Sequence, residues 1–298
     1  MHASICSSKT FHDLAIKSSV TERPGNEMMN KGTDDGRGGE SATLPEQMPI
    51  LELRGIYKRF GAVQALSEVD FEVYAGEVVA LVGDNGAGKS TLIKCIAGTH
   101  APDKGSIVFE GKEIHLHSPS DATRLGIETV YQDLAICDNL DVVQNMFLGR
   151  ERVHLLIPPI VGILSELDME KRALEVLQTL SVTTIANVRE KVAALSGGQR
   201  QSVAISRAAM WNAKLVILDE PTAALGVVQT EQVLALVRRL REHGLGVVII
   251  SHNLHEVFSI ADRIIVLRLG RRVATFDQAS TTPEDVVAAI TGAREETA

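Results

Sequence analysis

Hydrophobic and polar positions change their rhythm three times along this chain. Residues 1 to about 48 are rich in Ser, Gly, Asn, Lys, Asp and Glu, and the tract Gly25–Glu40 is almost free of apolar residues. So little apolar surface cannot offset the entropy of ordering the chain, which predicts a disordered tail over 1–48. Met28, Met29 and Met48 leave a downstream start open, and natively expressed protein yielding peptides from 1–27 would exclude it. From Ile50 the pattern alternates: Leu51 and Leu53, then Val69, Phe71 and Val73, stand between polar neighbours. That period of two predicts half-buried strands. Pro102–Gly105 reads as a turn, followed by the strand Ser106–Phe109 and a second turn at Glu110–Lys112. Together these predict an antiparallel β portion around a central strand at Val78–Val82. Between about 138 and 210 the rhythm becomes helical, as at Ala173, Leu174, Val176, Leu177 and Leu180. A helical subdomain over about 135–208 is expected. Beyond it, Leu215–Leu218 and Val247–Ile250 are short unbroken apolar runs flanking an amphipathic helix at Glu231–Arg241. Runs of that kind are buried on both faces of a parallel sheet, so the core is expected to be α/β with right-handed crossovers.

Composition narrows the classes. Of 298 residues 45% are hydrophobic and 23% charged, as in ordinary globular proteins. The formal charge of −8 gives no global field favouring nucleic acid. Cys6, Cys95 and Cys137 are odd in number and widely spaced, which reads as reduced thiols and not as a disulfide framework or zinc site. The longest apolar candidate, Val153–Leu164, is broken by Pro158-Pro159 and falls short of the roughly 18 residues of a membrane span. The N-terminus lacks the apolar core of a signal peptide. A role in a membrane process would need spans from another chain.

The chemistry concentrates in three segments. Gly83-Asp84-Asn85-Gly86-Ala87-Gly88-Lys89-Ser90 fits G-x-x-x-x-G-K-[ST] between an apolar strand and a helix expected over Thr91–Ala97. Such a loop turns its N–H groups inward around phosphates, and the helix start adds its positive end. Lys89 would reach the β- and γ-phosphates and the Ser90 hydroxyl a Mg²⁺ ion. The second segment, Leu215–Glu220, is an apolar strand ending in two acids. Asp219 would hold Mg²⁺ and Glu220 would act as general base toward water. An acidic strand end is commonplace alone and gains meaning from the phosphate loop. The third, Leu195-Ser196-Gly197-Gly198-Gln199-Arg200-Gln201, opens a helix running through Ala208. Locally it reads equally as an anion cradle or as a helix cap. One nucleotide rarely needs two helix-start cradles from one chain; a head-to-tail dimer, each cradle closing over the other chain's ATP, resolves this. His115 and His117 lie two apart and suggest a metal pair, but no third ligand is evident, and they read as exposed strand residues.

Taken together these segments resemble the ATP-binding subunit of an ABC transporter, over about residues 50–292. Gly83–Ser90 is similar to the family's Walker A motif, Leu215–Glu220 to Walker B and Leu195–Gln201 to its signature. Tyr131-Gln132 and Ser251-His252 fall where the family has its Q-loop and switch histidine, and Phe60, before Gly61, matches its adenine-stacking aromatic. The resemblance implies a phosphate-loop ATPase fold: a parallel core, an N-terminal antiparallel portion and a helical subdomain, within a nucleotide-binding domain over 49–298. It implies ATP held by Phe60, Gly83, Asp84, Asn85, Gly86, Ala87, Gly88, Lys89, Ser90 and Thr91, and across a homodimer by Ser196, Gly197, Gly198 and Gln199. Glu220, His252, Lys89 and Gln132 would carry catalysis; Ser90, Gln132 and Asp219 would hold Mg²⁺. One departure stands out. After Pro221-Thr222 the family commonly has Ser-Ala-Leu-Asp, and this chain has Ala223-Ala224-Leu225-Gly226. Coupling between the two sites is put in question by that change; ATP binding is not.

Thr129–Leu134 and Asn145–Glu151 resemble the ATPases of bacterial monosaccharide importers of the ribose, xylose and fructose type, here with one nucleotide domain. The resemblance implies transmembrane permease subunits as partners, a periplasmic sugar-binding protein acting indirectly, and a peripheral position on the cytoplasmic face of the inner membrane. Two alternatives stay open: an ABC ATPase serving export or a non-sugar substrate, and a soluble one acting on nucleic acid or the ribosome. Tandem domains or a long coiled-coil insertion would mark the last, and neither is present. The sugar itself is not legible, because no residue here would touch it.

Overall fold

Strand β1 (Leu51–Phe60) turns back into β2 (Val63–Val73), with Leu51 opposite Val73 and Leu53 opposite Phe71. All four are buried while Arg54 and Asp70 are exposed, the alternation a sheet with one wet face requires. The computed structural model describes residues 48–155 and 162–293, so the expected tail, Met48 apart, lies outside the described residues. Next come β3 (Val78–Val82) and helix α1 (Lys89–Ile96). Strands β4 (Lys104–Phe109) and β5 (Lys112–Ile114) complete an antiparallel sheet of order β2-β1-β4-β5.

Helix α2 (Pro119–Leu125) leads to β6 (Ile127–Val130), and α3 (Val142–Phe147) opens the interval expected to be helical. That interval also holds α4 (Glu166–Thr179) and α5 (Gly197–Met210). Between α3 and α4, however, β7 (Val153–Leu155) pairs antiparallel with β8 (Gly162–Leu164). The helical reading missed this hairpin. The apolar, partly β-branched arms favour strands, and the proline pair in the sequence between them disfavours a helix. Arg189 ties the interval together, bonding Glu170 at 2.8 Å and lying 3.6 Å from Asp141.

The chain then alternates regularly through β9 (Leu215–Asp219), α6 (Val227–Glu242), β10 (Gly246–Ile250), α7 (Leu254–Ile260), β11 (Arg263–Arg268), β12 (Arg271–Asp277) and α8 (Pro283–Thr291). Helix α6 begins four residues before the expected one. Its first turn carries Val227 and Val228, 88% and 72% exposed, which hide the amphipathic pattern. The second sheet has order β12-β11-β3-β10-β9-β6; all neighbours are parallel except the antiparallel edge strand β12.

Its central strands are apolar throughout because both faces are covered. Val78, Ala80 and Val82 of β3 face one core with α3–α8, and Val79 and Leu81 face another with α1 and the antiparallel sheet. β9 and β10 alternate in the same way. Each fully buried aliphatic side chain is worth roughly 1.5–3 kcal/mol, so these three strands form a firm base for the loops at their ends. His115 and His117 are exposed as expected, but they lie past the end of β5 and not on a strand. Among the described residues no group of three or more His, Cys, Asp and Glu is placed to hold a metal.

Candidate active site

β3, β10 and β9 are neighbours in register, so Val82, Ile250 and Asp219 end at one edge of the sheet. The loops that follow, 83–88, 251–253 and 220–226, therefore converge where open α/β sheets bind ligands. An open cavity of about 450 Å³ lies there, lined by Gly83, Asp84, Asn85, Lys89, Glu220 and His252.

The phosphate loop is held from below. Gly83 has φ +146° and a Cβ there would collide with the Leu267 carbonyl. The Gly270 N–H donates to the Ala87 carbonyl at 3.0 Å, and the Ala87 N–H to Asp84 at 3.1 Å. Lys89 opens α1 and folds its ammonium back over the loop, donating to the carbonyls of Gly83 at 2.6 Å and Asp84 at 3.0 Å. Burial pulls the Lys89 ammonium below its ordinary range, opposed by the charges of Glu220, Asp84 and Asp219. Ser90 is exposed and Thr91 half-buried on the first turn of α1.

Asp219 ends β9, and its carboxyl is pushed above the ordinary carboxylate range, first by burial and then by the charge of Glu220. Glu220 has a left-handed backbone, φ 49°, with its N–H donated to the Ile250 carbonyl at 3.0 Å. That φ is unfavourable for a residue with a Cβ. It turns the carboxylate away from the strand toward the cavity, and Oε1 stands 3.5 Å from Nδ1 of His252, which is 73% exposed. Ala224 shares the left-handed conformation, φ 63°.

Other expected residues lie apart from this cavity's lining. Gln132 is exposed just past β6, whose last residue pairs with Leu218 of β9, so its loop begins at the same sheet edge. Phe60 is 44% exposed at the end of β1, edge-on to the His100 ring at 5.2 Å, with Lys58 Nζ 5.7 Å from its centroid. Ser196 caps α5 through a reciprocal pair: Gln199 N–H donates to Ser196 Oγ at 3.3 Å, and Ser196 N–H to Gln199 Oε1 at 2.8 Å. Both readings of the segment, cap and cradle, are compatible with that geometry. At Gly198 a Cβ would stand 2.9 Å from the Gln229 Cβ, so α5 and α6 meet closely at their starts. Gly226 caps α6 in an extended conformation with open space around it. Sequence reasoning missed Glu256, four residues past His252, because a glutamate on a short helix reads as surface charge; it is 8% exposed.

A model of the family described as ABC transporter matches residues 66–223, a stretch holding the phosphate loop, Gln132, the signature and Asp219–Glu220. The chain is 50% identical over 253 residues to the fructose import ATP-binding protein FrcA of Rhizobium meliloti, covering 84% of this chain and 96% of the relative. It is 47% identical over 242 residues to the xylose/arabinose import ATP-binding protein XylG of Sulfolobus acidocaldarius, covering 81% and 94%. Its structure superposes on a dimeric structure of MJ0796, a bacterial ABC transporter cassette, with TM-score 0.63 and 28% identity, covering 76% and 98%. On this match, and on relatives it spans almost from end to end, the chain belongs to the ABC transporter family as an ATP-binding cassette.

Proposed function

We propose that this chain is the ATP-hydrolysing subunit of a monosaccharide importer and works as a homodimer on permease subunits at the cytoplasmic face of the membrane. What carries the reading is the pairing of Glu220 with His252 at 3.5 Å, facing a cavity floored by the phosphate loop. No helix among the described residues is long and apolar enough to cross a membrane, so the spans are assigned to the permease. The sugar class rests on the relatives named for fructose and for xylose/arabinose import.

In this mechanism the phosphates enter the loop and Lys89 moves from the Gly83 and Asp84 carbonyls to the β- and γ-oxygens. The Ala87 N–H is donated to Asp84, and the other N–H groups of the loop supply neutral donors to the phosphates. Glu220 takes a proton from the attacking water, and His252 holds that water and the γ-phosphate in line. Phe60 stacks on adenine. The oxygen donors Ser90, Asp219 and Gln132 suit Mg²⁺, a hard cation that keeps waters and phosphate ligands. Its fit is supported by Asp219, whose charged form is disfavoured by burial and by Glu220 and favoured by Lys89 and Lys94, so that a cation there would relieve the site. When bound, Mg²⁺ supplies charge neutralisation on the phosphates. Ser196, Gly197, Gly198 and Gln199 of the second copy close the site, and Gln132 relays closure to the permease.

The deciding experiment is Mg²⁺-dependent ATPase activity of the purified chain, alone and in its permease, with sugar-loaded binding protein. Stimulation by one sugar's binding protein establishes the importer and its substrate class. Hydrolysis indifferent to every such partner overturns the sugar assignment, and absence of ATP binding overturns the whole reading.

A further inference from the structure

Behind the Glu220–His252 pair lies a second cavity of about 270 Å³, lined by Thr222, Ala223, Ala224, Leu225, Ser251, Asn253 and Glu256 and sharing Glu220 and His252 with the first. Its floor is a buried polar knot centred on Glu256 of α7. The carboxylate accepts from the Thr222 hydroxyl at 2.5 Å and from Ser251 Oγ at 3.3 Å on one oxygen, and from Asn253 Nδ2 at 2.9 Å on the other. Thr222 and Ser251 are themselves 8% and 3% exposed. Ser251 Oγ also accepts the Asn253 N–H at 3.0 Å, which fixes the backbone on both sides of His252.

Among the described residues its hydrogen-bond donors are three neutral groups. A buried polar group is tolerated when its hydrogen bonds are satisfied in this way, so the donors are held as firmly as the acid. They come from two different loops. Thr222 follows Glu220 by two residues, and Ser251 and Asn253 bracket His252. Two further links join those loops: the Glu220 N–H donates to the Ile250 carbonyl at the strand ends, and the Glu220 and His252 side chains stand 3.5 Å apart.

We propose that Glu256 is a positioning residue for hydrolysis, fastening the loop of Glu220 to the loop of His252 so that their side chains stay paired across the cavity mouth. It touches no substrate and acts through His252. This rests on the ATPase reading above. Displacing a reacting group by about 1 Å can cost on the order of 10²-fold in rate, so a loosened His252 shows in turnover before it shows in binding.

The test compares Glu256→Ala, Glu256→Gln and Thr222→Val in the full-length chain. Glu256→Ala lowers kcat at least about tenfold while nucleotide affinity, read with a fluorescent ATP analogue, stays within about twofold. Glu256→Gln keeps the acceptor for the two hydroxyls and recovers much of that loss; Thr222→Val cuts one tie and falls between. In a His252→Ala background, Glu256→Ala adds no further loss. Unchanged kcat, a parallel fall in affinity, or losses that multiply with His252→Ala overturn the proposal. The His252 ring resonance in histidine-labelled protein reads the same contact without turnover. It moves in Glu256→Ala, and its staying in place refutes the positioning role even for a chain that hydrolyses nothing.

Discussion

The chain carries two glycine-rich helix starts, and they are built oppositely. At Gly83–Ser90 the backbone is forced into a left-handed glycine conformation, an ammonium is folded onto it, and Glu220 stands across the cavity. At Ser196–Gln199 the helix start carries no acid in its first turn and is closed on itself by a reciprocal cap. The first is charged and strained before any ligand arrives; the second is neutral and relaxed. On the proposed reading the second is a half-site that would bind weakly alone, and a head-to-tail pair of copies would bring the phosphates to it.

The sharpest way to break this contrast is to remove charge from the first cradle. Lys89→Ala is expected to weaken ATP binding by about 10²-fold or more, measured by nucleotide titration, since Lys89 supplies the ammonium of the cavity lining. Glu220→Gln is expected to keep ATP affinity and lose about 10²–10³-fold in turnover, and wild-type turnover would remove Glu220 as the base. Mixing tests the neutral cradle. Ser196→Arg and Lys89→Ala chains, each inactive alone, should together recover roughly a quarter of wild-type turnover, because half of random pairs are mixed and each has one whole site. No recovery would place both cradles on the same nucleotide in one chain.

Smaller effects refine the picture. Asp219 holds its proton to higher pH in the folded chain than in the unfolded one. Its charge therefore costs stability above the ordinary carboxylate range, and the cost vanishes below that range. Asp219→Asn should raise the Tm of the nucleotide-free chain by about 1–4 °C near pH 7, with the gain shrinking toward about pH 4. A lower Tm would show that attraction to Lys89 outweighs burial. Gly226→Asp should add a few tenths of a kcal/mol by capping α6, read as about 1 °C by calorimetry. Open space around Gly226 makes the change free of strain.

Much of this was legible in the sequence for a definite reason. Val78–Val82, Leu215–Asp219 and Val247–Ile250 are apolar at every position but the last acid, and only strands covered on both faces tolerate that. The motifs at their ends were readable because a phosphate loop is local chemistry. What escaped depends on tertiary neighbours. Glu256 becomes a buried acceptor only because β9 and β10 lie side by side and bring Thr222 to Ser251. The β7–β8 hairpin was hidden among helices by its brevity. The resting bonds of Lys89 to Gly83 and Asp84 leave no trace in residue order.

Glu220 and Ala224 both hold left-handed backbones, φ 49° and 63°, within five residues of the chain. Each such residue costs on the order of 1 kcal/mol that glycine or asparagine would relieve. With Glu220 as the base proposed above, laboratory selection for heat resistance alone would therefore draw glycine into position 220 and leave a sturdier molecule expected to bind nucleotide without turning it over. Only a population screened for turnover keeps the less comfortable residue.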